Sequence, residues 1–209
     1  MNATERNCMQ ELEKYRYQAV NLSLVLIEGV VFLLCMIPSS TLYERGLHNA
    51  YLVMNGEYWR LITSIFLHSG LQHLGSNLLA QGLLGGAVER NIGHVRYLLL
   101  FLISGICGNI LSAACDIATG SNTYSVGASG AVFGVMGCLI VIVIRGRNQI
   151  RKGSSLMVRA GLAVFYAVFS GFATPYTDNA AHIGGLAAGL VLGALFMMGR
   201  QTVDLQDLR

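Results

Sequence analysis

A serine hydroxyl stands near the start of a glycine-rich apolar stretch, residues 127–137 (GASGAVFGVMG). No charged residue occurs in this stretch or in residues 138–144 after it. A hydroxyl becomes a nucleophile when a neighbouring base takes its proton, so Ser129 is a candidate nucleophile. The glycines Gly130, Gly134 and Gly137 allow a second interpretation. Their i, i+4, i+7 spacing predicts a groove for a neighbouring helix, in which the serine is only a small interface residue.

A candidate base opens a second segment of small residues, 181–189 (AHIGGLAAG). His182 is followed by Gly185 and Gly189 at i+3 and i+7, and two such helices can pack closely enough for a serine–histidine hydrogen bond. Asp178 stands four residues before His182. It can cap the helix that begins after the turn at 174–177, or it can orient the imidazole as a third catalytic member.

Two further polar side chains can stabilise an oxyanion. His73 and Asn77 are spaced i, i+4 and therefore share one face of a helix, and each can donate a hydrogen bond. The backbone N–H of Ser129, at a helix N-terminus, is a third donor. A metal site at His68 and His73 is the competing interpretation. The chain has no His-Glu-x-x-His motif and no carboxylate near these histidines in the sequence, so we expect no metal.

The composition indicates a membrane protein. Of the 209 residues, 54% are hydrophobic and only 12% are charged, whereas about 25% charged residues is usual in soluble domains. Six runs are long enough to cross about 30 Å of hydrocarbon as helices, and none shows the period-two alternation of a barrel strand. They lie near residues 18–38, 71–88, 96–116, 127–145, 156–173 and 179–199.

The sequence therefore predicts an all-α membrane protein with a single bundle of six transmembrane helices. We expect a membrane domain over residues 18–199, between short cytoplasmic tails at 1–17 and 200–209. Nothing in the tail at 1–17 resembles a cleavable signal, so the first span is expected to remain as a helix.

The distribution of basic residues predicts the orientation. The fourth connection is rich in them, whereas the connections at 117–126 and 174–178 contain no Lys or Arg. By the positive-inside rule, both termini are cytoplasmic and the first, third and fifth connections face outward. Because orientation accounts for the basic loop, we expect no nucleic-acid partner. The basic residues of that loop and its flanks are Arg145, Arg147, Arg151, Lys152 and Arg159.

Glu28 lies in the middle of the first predicted span. An ionisable group at that depth must face the bundle, where it is protonated or paired. It can form a structural hydrogen bond or serve as the proton site of a transporter. The five cysteines include no Cys-x-x-Cys pair. They predict no disulfide framework, no zinc site and no cofactor.

The first outer connection, residues 39–57, alternates apolar and polar residues, which is typical of a segment lying in the membrane interface. Trp59 and Arg60 follow it as an interfacial aromatic and a basic tether, in an ordinary or a special anchoring role. Glu89 and Arg90 end the second predicted span and indicate an ion pair or polar tether on the cytoplasmic side.

Taken in order, these motifs resemble the rhomboid intramembrane serine proteases, over about residues 55–195. The resemblance implies a Ser129/His182 dyad, with His73, Asn77 and the Ser129 backbone N–H as the oxyanion hole. It also implies a half-embedded first outer loop and a fifth helix that gates substrate access. The motifs are Trp59-Arg60, His73-x-x-x-Asn77, residues 85–89 (GGAVE) including Glu89, Gly127-x-Ser129-Gly130, and Ala181-His182 with Gly185 and Gly189.

The chain departs from the resembled pattern at Phe133, where many rhomboids have Tyr. A phenylalanine keeps the stacking on the His182 ring but removes a phenolic hydrogen bond. Since both dyad residues are present, we expect an active protease that cleaves single-span membrane proteins in the bilayer, in the bacterial plasma membrane. A non-catalytic client-binding protein on the same scaffold and a small transporter using Glu28 are the alternatives. The sequence does not indicate an oligomeric state.

Overall fold

The computed structural model describes residues 17–146, 158, 161–162 and 177–199. This part of the chain is a helical bundle with eight α-helices, one 3₁₀ turn at Ser64–Phe66 and no β-strand. The helices are α1 (Ala19–Cys35), α2 (Leu42–Gly46), α3 (Ala50–Met54), α4 (Arg60–Thr63), α5 (Leu71–Ile92), α6 (His94–Thr119), α7 (Ser129–Gly146) and α8 (Asn179–Phe196).

Five of the six predicted spans coincide with a long helix: α1, α5, α6, α7 and α8. Among the described helices, α6, α7 and α8 are long and apolar enough to cross a membrane, and α1 is a shorter apolar helix. The predicted fifth span at 156–173 lies outside the described residues except for positions 158, 161 and 162. The two tails and most of the basic fourth connection lie outside them as well.

Backbone contact between helices holds α6, α7 and α8 together. A Cβ added to Gly185 would overlap the carbonyl oxygen of Gly130, and one added to Gly189 would overlap that of Gly134. A Cβ on Gly108 of α6 would come within 2.7 Å of the Ala181 carbonyl oxygen. In a bilayer, where apolar burial does not favour helix association, such close van der Waals packing is what small residues provide.

The N-terminus of α1 is fixed by the far end of α5. The Glu89 carboxylate is fully buried and accepts hydrogen bonds from the backbone N–H groups of Val20 and Asn21, at 2.9 and 2.8 Å. These are two of the donors that a helix leaves unpaired in its first turn. The Asn21 side chain in turn accepts a bond from the buried Tyr97 hydroxyl of α6 at 2.7 Å. Glu89 is therefore a polar tether between α5 and α1.

Residues 39–57, the first connection predicted to face outward, contain the short helices α2 and α3 and are joined to the loop that precedes α7. His48 and Ser125 form an antiparallel bridge with two backbone hydrogen bonds of 2.9 and 3.0 Å. The Asn49 side chain, which is buried, donates to Asn122 and to the Thr123 carbonyl. The outer connection and the α7-proximal loop therefore form one ordered layer.

Candidate active site

Ser129 is the first residue of α7 and follows a loop whose backbone is hydrogen-bonded to the 3₁₀ turn at Ser64–Phe66. Gly127 has a φ of 129°, a conformation that favours glycine, and its N–H donates to the Ser64 carbonyl at 2.9 Å. The Ser64 hydroxyl accepts a bond from the Asn109 amide of α6 at 2.9 Å. The position of Ser129 is thus set by contacts from α6 and from the 3₁₀ turn.

Residue 127 must also be glycine because a side chain there would collide with the His73 ring. A Cβ there would lie 2.7 Å from both Cε1 and Nε2 of His73, and its nearest Asn77 atom would be the amide nitrogen at 3.6 Å. The His73 Nε2 edge and the Asn77 amide therefore both face the backbone just before Ser129. Two possible hydrogen-bond donors are therefore near the start of α7.

His182 lies in the first turn of α8 and is 7% exposed. Its ring stacks on Phe133 with a centroid distance of 4.1 Å and an interplanar angle of 10°. Phe133 is one turn after Ser129 on α7, so the His182 ring lies against the helix that begins with Ser129. Stacking restricts the imidazole to one plane without taking up either of its nitrogens.

In the described part of the chain, no hydrogen bond joins the Ser129 hydroxyl to the His182 imidazole. Hydrogen bonds between catalytic groups are often long without substrate and shorten in the complex. What fixes the pair here is the backbone contact of Gly130 with Gly185, one residue after the serine and three after the histidine. The helices that carry the two groups can therefore approach no more closely.

The His73 ring is oriented by Ser69, which precedes it by one helical turn. The Ser69 hydroxyl lies 3.0 Å from His73 Nδ1, and the Ser69 backbone N–H donates to the same nitrogen at 3.5 Å. Since a backbone N–H can only donate, Nδ1 is the acceptor and a neutral His73 carries its proton on Nε2. That tautomer presents an N–H donor toward Gly127, as an oxyanion hole requires.

Asn77 is 2% exposed, and its amide nitrogen donates to the His73 carbonyl at 3.2 Å. An amide has two N–H donors, so this bond leaves one for a substrate oxygen. The bond to the preceding turn also holds the side chain against α5. Asn77 is thus a prepositioned donor beside His73.

Asp178 caps α8. Its Oδ1 accepts the Ala181 N–H at 2.9 Å, and its Oδ2 accepts the Ser112 hydroxyl of α6 at 2.6 Å. Both carboxylate oxygens are therefore engaged away from the His182 ring, which receives no hydrogen bond from Asp178 among the described contacts. The geometry is that of a helix cap rather than of the third member of a triad.

Trp59 and Arg60 belong to the outer layer and not to the site itself. Arg60 is 6% exposed, pairs with Glu57 at 2.7 Å, and donates to the carbonyls of Glu44 and Leu47 at 3.0 and 2.7 Å. Trp59 is 53% exposed and donates to the Arg45 carbonyl at 3.2 Å. Arg60 is the tether of α2 to α4, and Trp59 is a surface contact of the same loop.

Ser69, Asn109 and Ser112 support the site but do not appear among the residues singled out in the sequence. Ser69 had a usable signal, because it is four residues before His73. Asn109 is an uncharged polar residue in an apolar span, a position that is rarely without a partner. Ser112 carries no such signal, since its partner Asp178 is far away in the sequence.

Two buried histidines, His48 and His68, lie outside the spanning helices. Burial, together with the neighbouring His73, lowers the pKa of His68 to about 4. Burial also lowers the pKa of His48, although Asp178 and Asp116 oppose this shift. Both imidazoles are therefore neutral at pH 7. Among the described residues, no group of three His, Cys, Asp or Glu side chains is placed to hold a metal ion.

Comparison with known proteins gives one consistent result. The sequence model of the rhomboid domain matches residues 55–199, more than half of the chain. The chain is 38% identical to rhomboid protease GluP of Bacillus subtilis over 158 residues, which are 75% of this chain and 29% of GluP. It is 37% identical to YdcA of the same organism over 149 residues, 71% of this chain and 72% of YdcA.

The plant relatives are longer than the matched region. RHOMBOID-like protein 5 of Arabidopsis thaliana is 34% identical over 161 residues, 77% of this chain and 51% of that protein. The chain therefore spans about half or less of GluP and of this plant relative. The region matched by the rhomboid-domain model, residues 55–199, contains Ser129, His182, His73 and Asn77.

Proposed function

This chain belongs to the rhomboid family and is an integral membrane protein, and we propose that it is a serine endopeptidase. Its substrates would be membrane proteins with a single transmembrane helix, cleaved in or near that helix. The observation that supports this most directly is the convergence of four groups at the start of α7. Ser129 begins the helix, His182 is stacked on Phe133 one turn later, and His73 and Asn77 face Gly127.

In the proposed reaction, the Ser129 oxygen attacks the carbonyl carbon of the substrate while His182 accepts the hydroxyl proton. The negative charge moves to the carbonyl oxygen, where the Ser129 N–H, His73 Nε2–H and the Asn77 amide donate to it. The C–N bond then breaks, and His182 returns the proton to the leaving amine. A water molecule, deprotonated by His182, hydrolyses the acyl-enzyme and regenerates the serine.

The test is cleavage of a single-span substrate by the full chain reconstituted in lipid vesicles. Ser129→Ala and His182→Ala should each abolish cleavage while leaving the bundle folded. The double variant should lose no more than either single one, because the two residues act as one unit. A fluorophosphonate probe should label wild-type protein at Ser129. Cleavage by Ser129→Ala at the wild-type rate would contradict the proposal and would favour a non-catalytic client-binding role.

We further propose that the protein lies in the bacterial plasma membrane with both termini in the cytoplasm. Supporting this, the Arg145 guanidinium at the end of α7 donates to the Met197 carbonyl just after α8, at 2.8 Å. Basic residues thus collect at the end of the bundle opposite to Ser129. Accessibility of single cysteines introduced at each end to an impermeant thiol reagent, in a cysteine-free background, tests the orientation. Labelling of the Arg145 end from outside intact cells would contradict it.

A further inference from the structure

The middle of α1 carries a buried acid that the proposed reaction does not use. Glu28 is 0% exposed, and among the described residues neither of its carboxyl oxygens has a hydrogen-bond partner. Helix α1 lies outside residues 55–199, the part matched by the rhomboid-domain model. Buried polar atoms are normally paired, so a fully buried carboxyl without a partner calls for a physical explanation.

The groups that face this carboxyl come from three other parts of the fold. One is His68, whose Nε2 lies 3.8 Å from Glu28 Oε2. Gln81 of α5 faces the carboxyl outside hydrogen-bond geometry, and both of its amide atoms are also buried without a partner. Tyr97 of α6 is near enough to interact electrostatically with Glu28, and its hydroxyl donates to Asn21. None of these groups is a fixed cation.

The pocket around Glu28 is therefore a cluster of buried polar atoms that lie close together without hydrogen bonds of ordinary geometry. Both ring nitrogens of His68 are buried without a partner, as are the polar atoms of Glu28 and Gln81. Small side-chain rotations or an internal water can pair such atoms with one another. Because burial keeps the pKa of His68 at about 4, its imidazole is neutral, and a charged carboxylate beside it would have no cation to pair with.

His68 connects this cluster to the candidate oxyanion hole. Its ring meets the His73 ring edge to face, with a centroid distance of 5.2 Å and an interplanar angle of 70°. His68 also directly precedes Ser69, which holds the Nδ1 atom of His73. A displacement of the His68 ring would therefore move both contacts that orient His73.

We propose that Glu28 is a positioning residue for the oxyanion donor His73, acting as a neutral carboxylic acid that holds the His68 ring. This inference rests on the proposed protease function. A neutral carboxyl can donate its proton to His68 Nε2 and accept from Gln81, which satisfies the cluster without a charge in the bundle. Helix α1 would in this way contribute to the turnover number, although no atom of it touches the reacting groups.

The experiment measures kcat and KM of the reconstituted full chain for Glu28→Gln and Glu28→Leu. Glutamine is nearly isosteric and can still donate, so it should retain the wild-type kcat. Leucine removes the hydrogen bond and should lower kcat by about tenfold or more, with KM unchanged, because a displaced oxyanion donor acts in the transition state. Leu24→Ala is the matched control, since Leu24 is a buried residue one turn earlier on α1. It should lower Tm and leave kcat unchanged.

A double-mutant cycle separates positioning from general destabilisation. In a His73→Ala background, Glu28→Leu should cause no further loss of kcat, because the group it positions is absent. An equal loss in both backgrounds, a wild-type kcat for Glu28→Leu, or a loss for Glu28→Gln as large as for Glu28→Leu would each overturn the inference. If Glu28→Leu does not fold, the same cycle is made with His68→Gln, for which an equal loss in both backgrounds has the same meaning.

Ser129→Ala is measured alongside these variants. If it cleaves at the wild-type rate, the proposed function itself is wrong. If it is inactive while Glu28→Leu retains the wild-type kcat, only the role of Glu28 is wrong.

Discussion

The two side-chain donors of the candidate oxyanion hole are held by different means. Asn77 is almost completely buried and is fixed by its own bond to the preceding turn. His73 is only half-buried, and its donor nitrogen is determined indirectly by the bonds that Ser69 makes to the opposite side of the ring. Loss of Asn77 therefore removes a donor outright, whereas loss of a contact to His73 only loosens one.

We expect Asn77→Ala to lower kcat by roughly 10- to 1,000-fold, the range found when one oxyanion donor is removed, with a smaller effect on KM. The measurement is steady-state cleavage in vesicles over a range of substrate concentrations. Ser76→Ala is a suitable control, because Ser76 bonds the same His73 carbonyl but is not part of the hole. Equal turnover numbers for Asn77→Ala and wild type would exclude the donor role.

The neutral His68 predicts a pH dependence of stability. Its pKa is about 4 in the folded protein against an ordinary value of 6.5. Between these values the unfolded chain binds the proton and the folded chain does not, so stability falls as the pH is lowered from about 6.5 toward 4. The loss from this group is up to about 3 kcal/mol.

The measurement for this prediction is Tm in detergent as a function of pH, for wild type and His68→Gln. The variant should show a flatter decline of Tm below pH 6.5, although its Tm at neutral pH can be lower. Parallel curves for the two proteins would show that His68 does not contribute to the acid sensitivity.

At the level of the helices, hydrophobic runs predict the position of α1, α5, α6, α7 and α8 well, and their ends less well. The second span is predicted at 71–88, whereas α5 continues to Ile92. Its last turn contains the buried polar residues Glu89 and Asn91, which resemble a span end in composition. Glu89 is buried where it binds the N-terminus of α1, a contact that local hydropathy cannot indicate.

In the candidate site, too, the sequence indicates the local features but not the contacts between distant residues. Ser129, His182, His73 and Asn77 are predictable because residue type and helical spacing already define their chemistry. The bonds of Asn109 to Ser64 and of Ser112 to Asp178 join distant parts of the chain, so no local pattern contains them. The short helices α2 and α3 have five residues each, too few for a helical period to be visible in the sequence.

The contact of α7 with α8 predicts a strong effect of single methyl groups. Gly185→Ala should destabilise the bundle by about 3 kcal/mol or more, because the new Cβ meets the Gly130 backbone, which cannot rotate away. It should also lower activity, since it pushes apart the helices that carry Ser129 and His182. Thermal unfolding and cleavage rate are measured together.

Gly82→Ala is the matched control for this prediction. A Cβ at Gly82 has no atom within 4 Å, so alanine there should be tolerated and can even favour the helix. A Gly185→Ala variant as stable as Gly82→Ala would contradict the close backbone contact.

For the whole molecule, the placement of Ser129 at the end of α7 has a consequence for substrate choice. A substrate helix buries its carbonyls in its own hydrogen bonds, and each bond that opens in lipid is costly. Opening is least costly near the outer surface, where water can pair the released groups, and at residues with low helix propensity. Proteolysis by this bundle should therefore select for weak helices.

We accordingly predict cleavage near the outer end of the substrate span, next to a small residue, with Gly or Pro a few residues deeper in the membrane. The test uses two reconstituted substrates that differ only at that deeper position, one with the helix-breaking residue and one with Leu. The first should be cut faster, with the cut site determined by mass spectrometry. Equal rates for both substrates would exclude helix opening as the selective step.

The bridge between His48 and Ser125 joins the outer connection to the loop that precedes Ser129, so that the two segments move together. The hydrogen bond from Gly127 to Ser64 and the bond from Arg60 to Glu44 connect these segments to α4. A displacement of α2 would therefore also displace the residues around Ser129. A substrate that entered on this side would have to displace Ser129 and the groups beside it, with which it is to react. If the chain is a protease, we therefore expect its substrate to enter at another side of the bundle and to lie against a rigid outer connection.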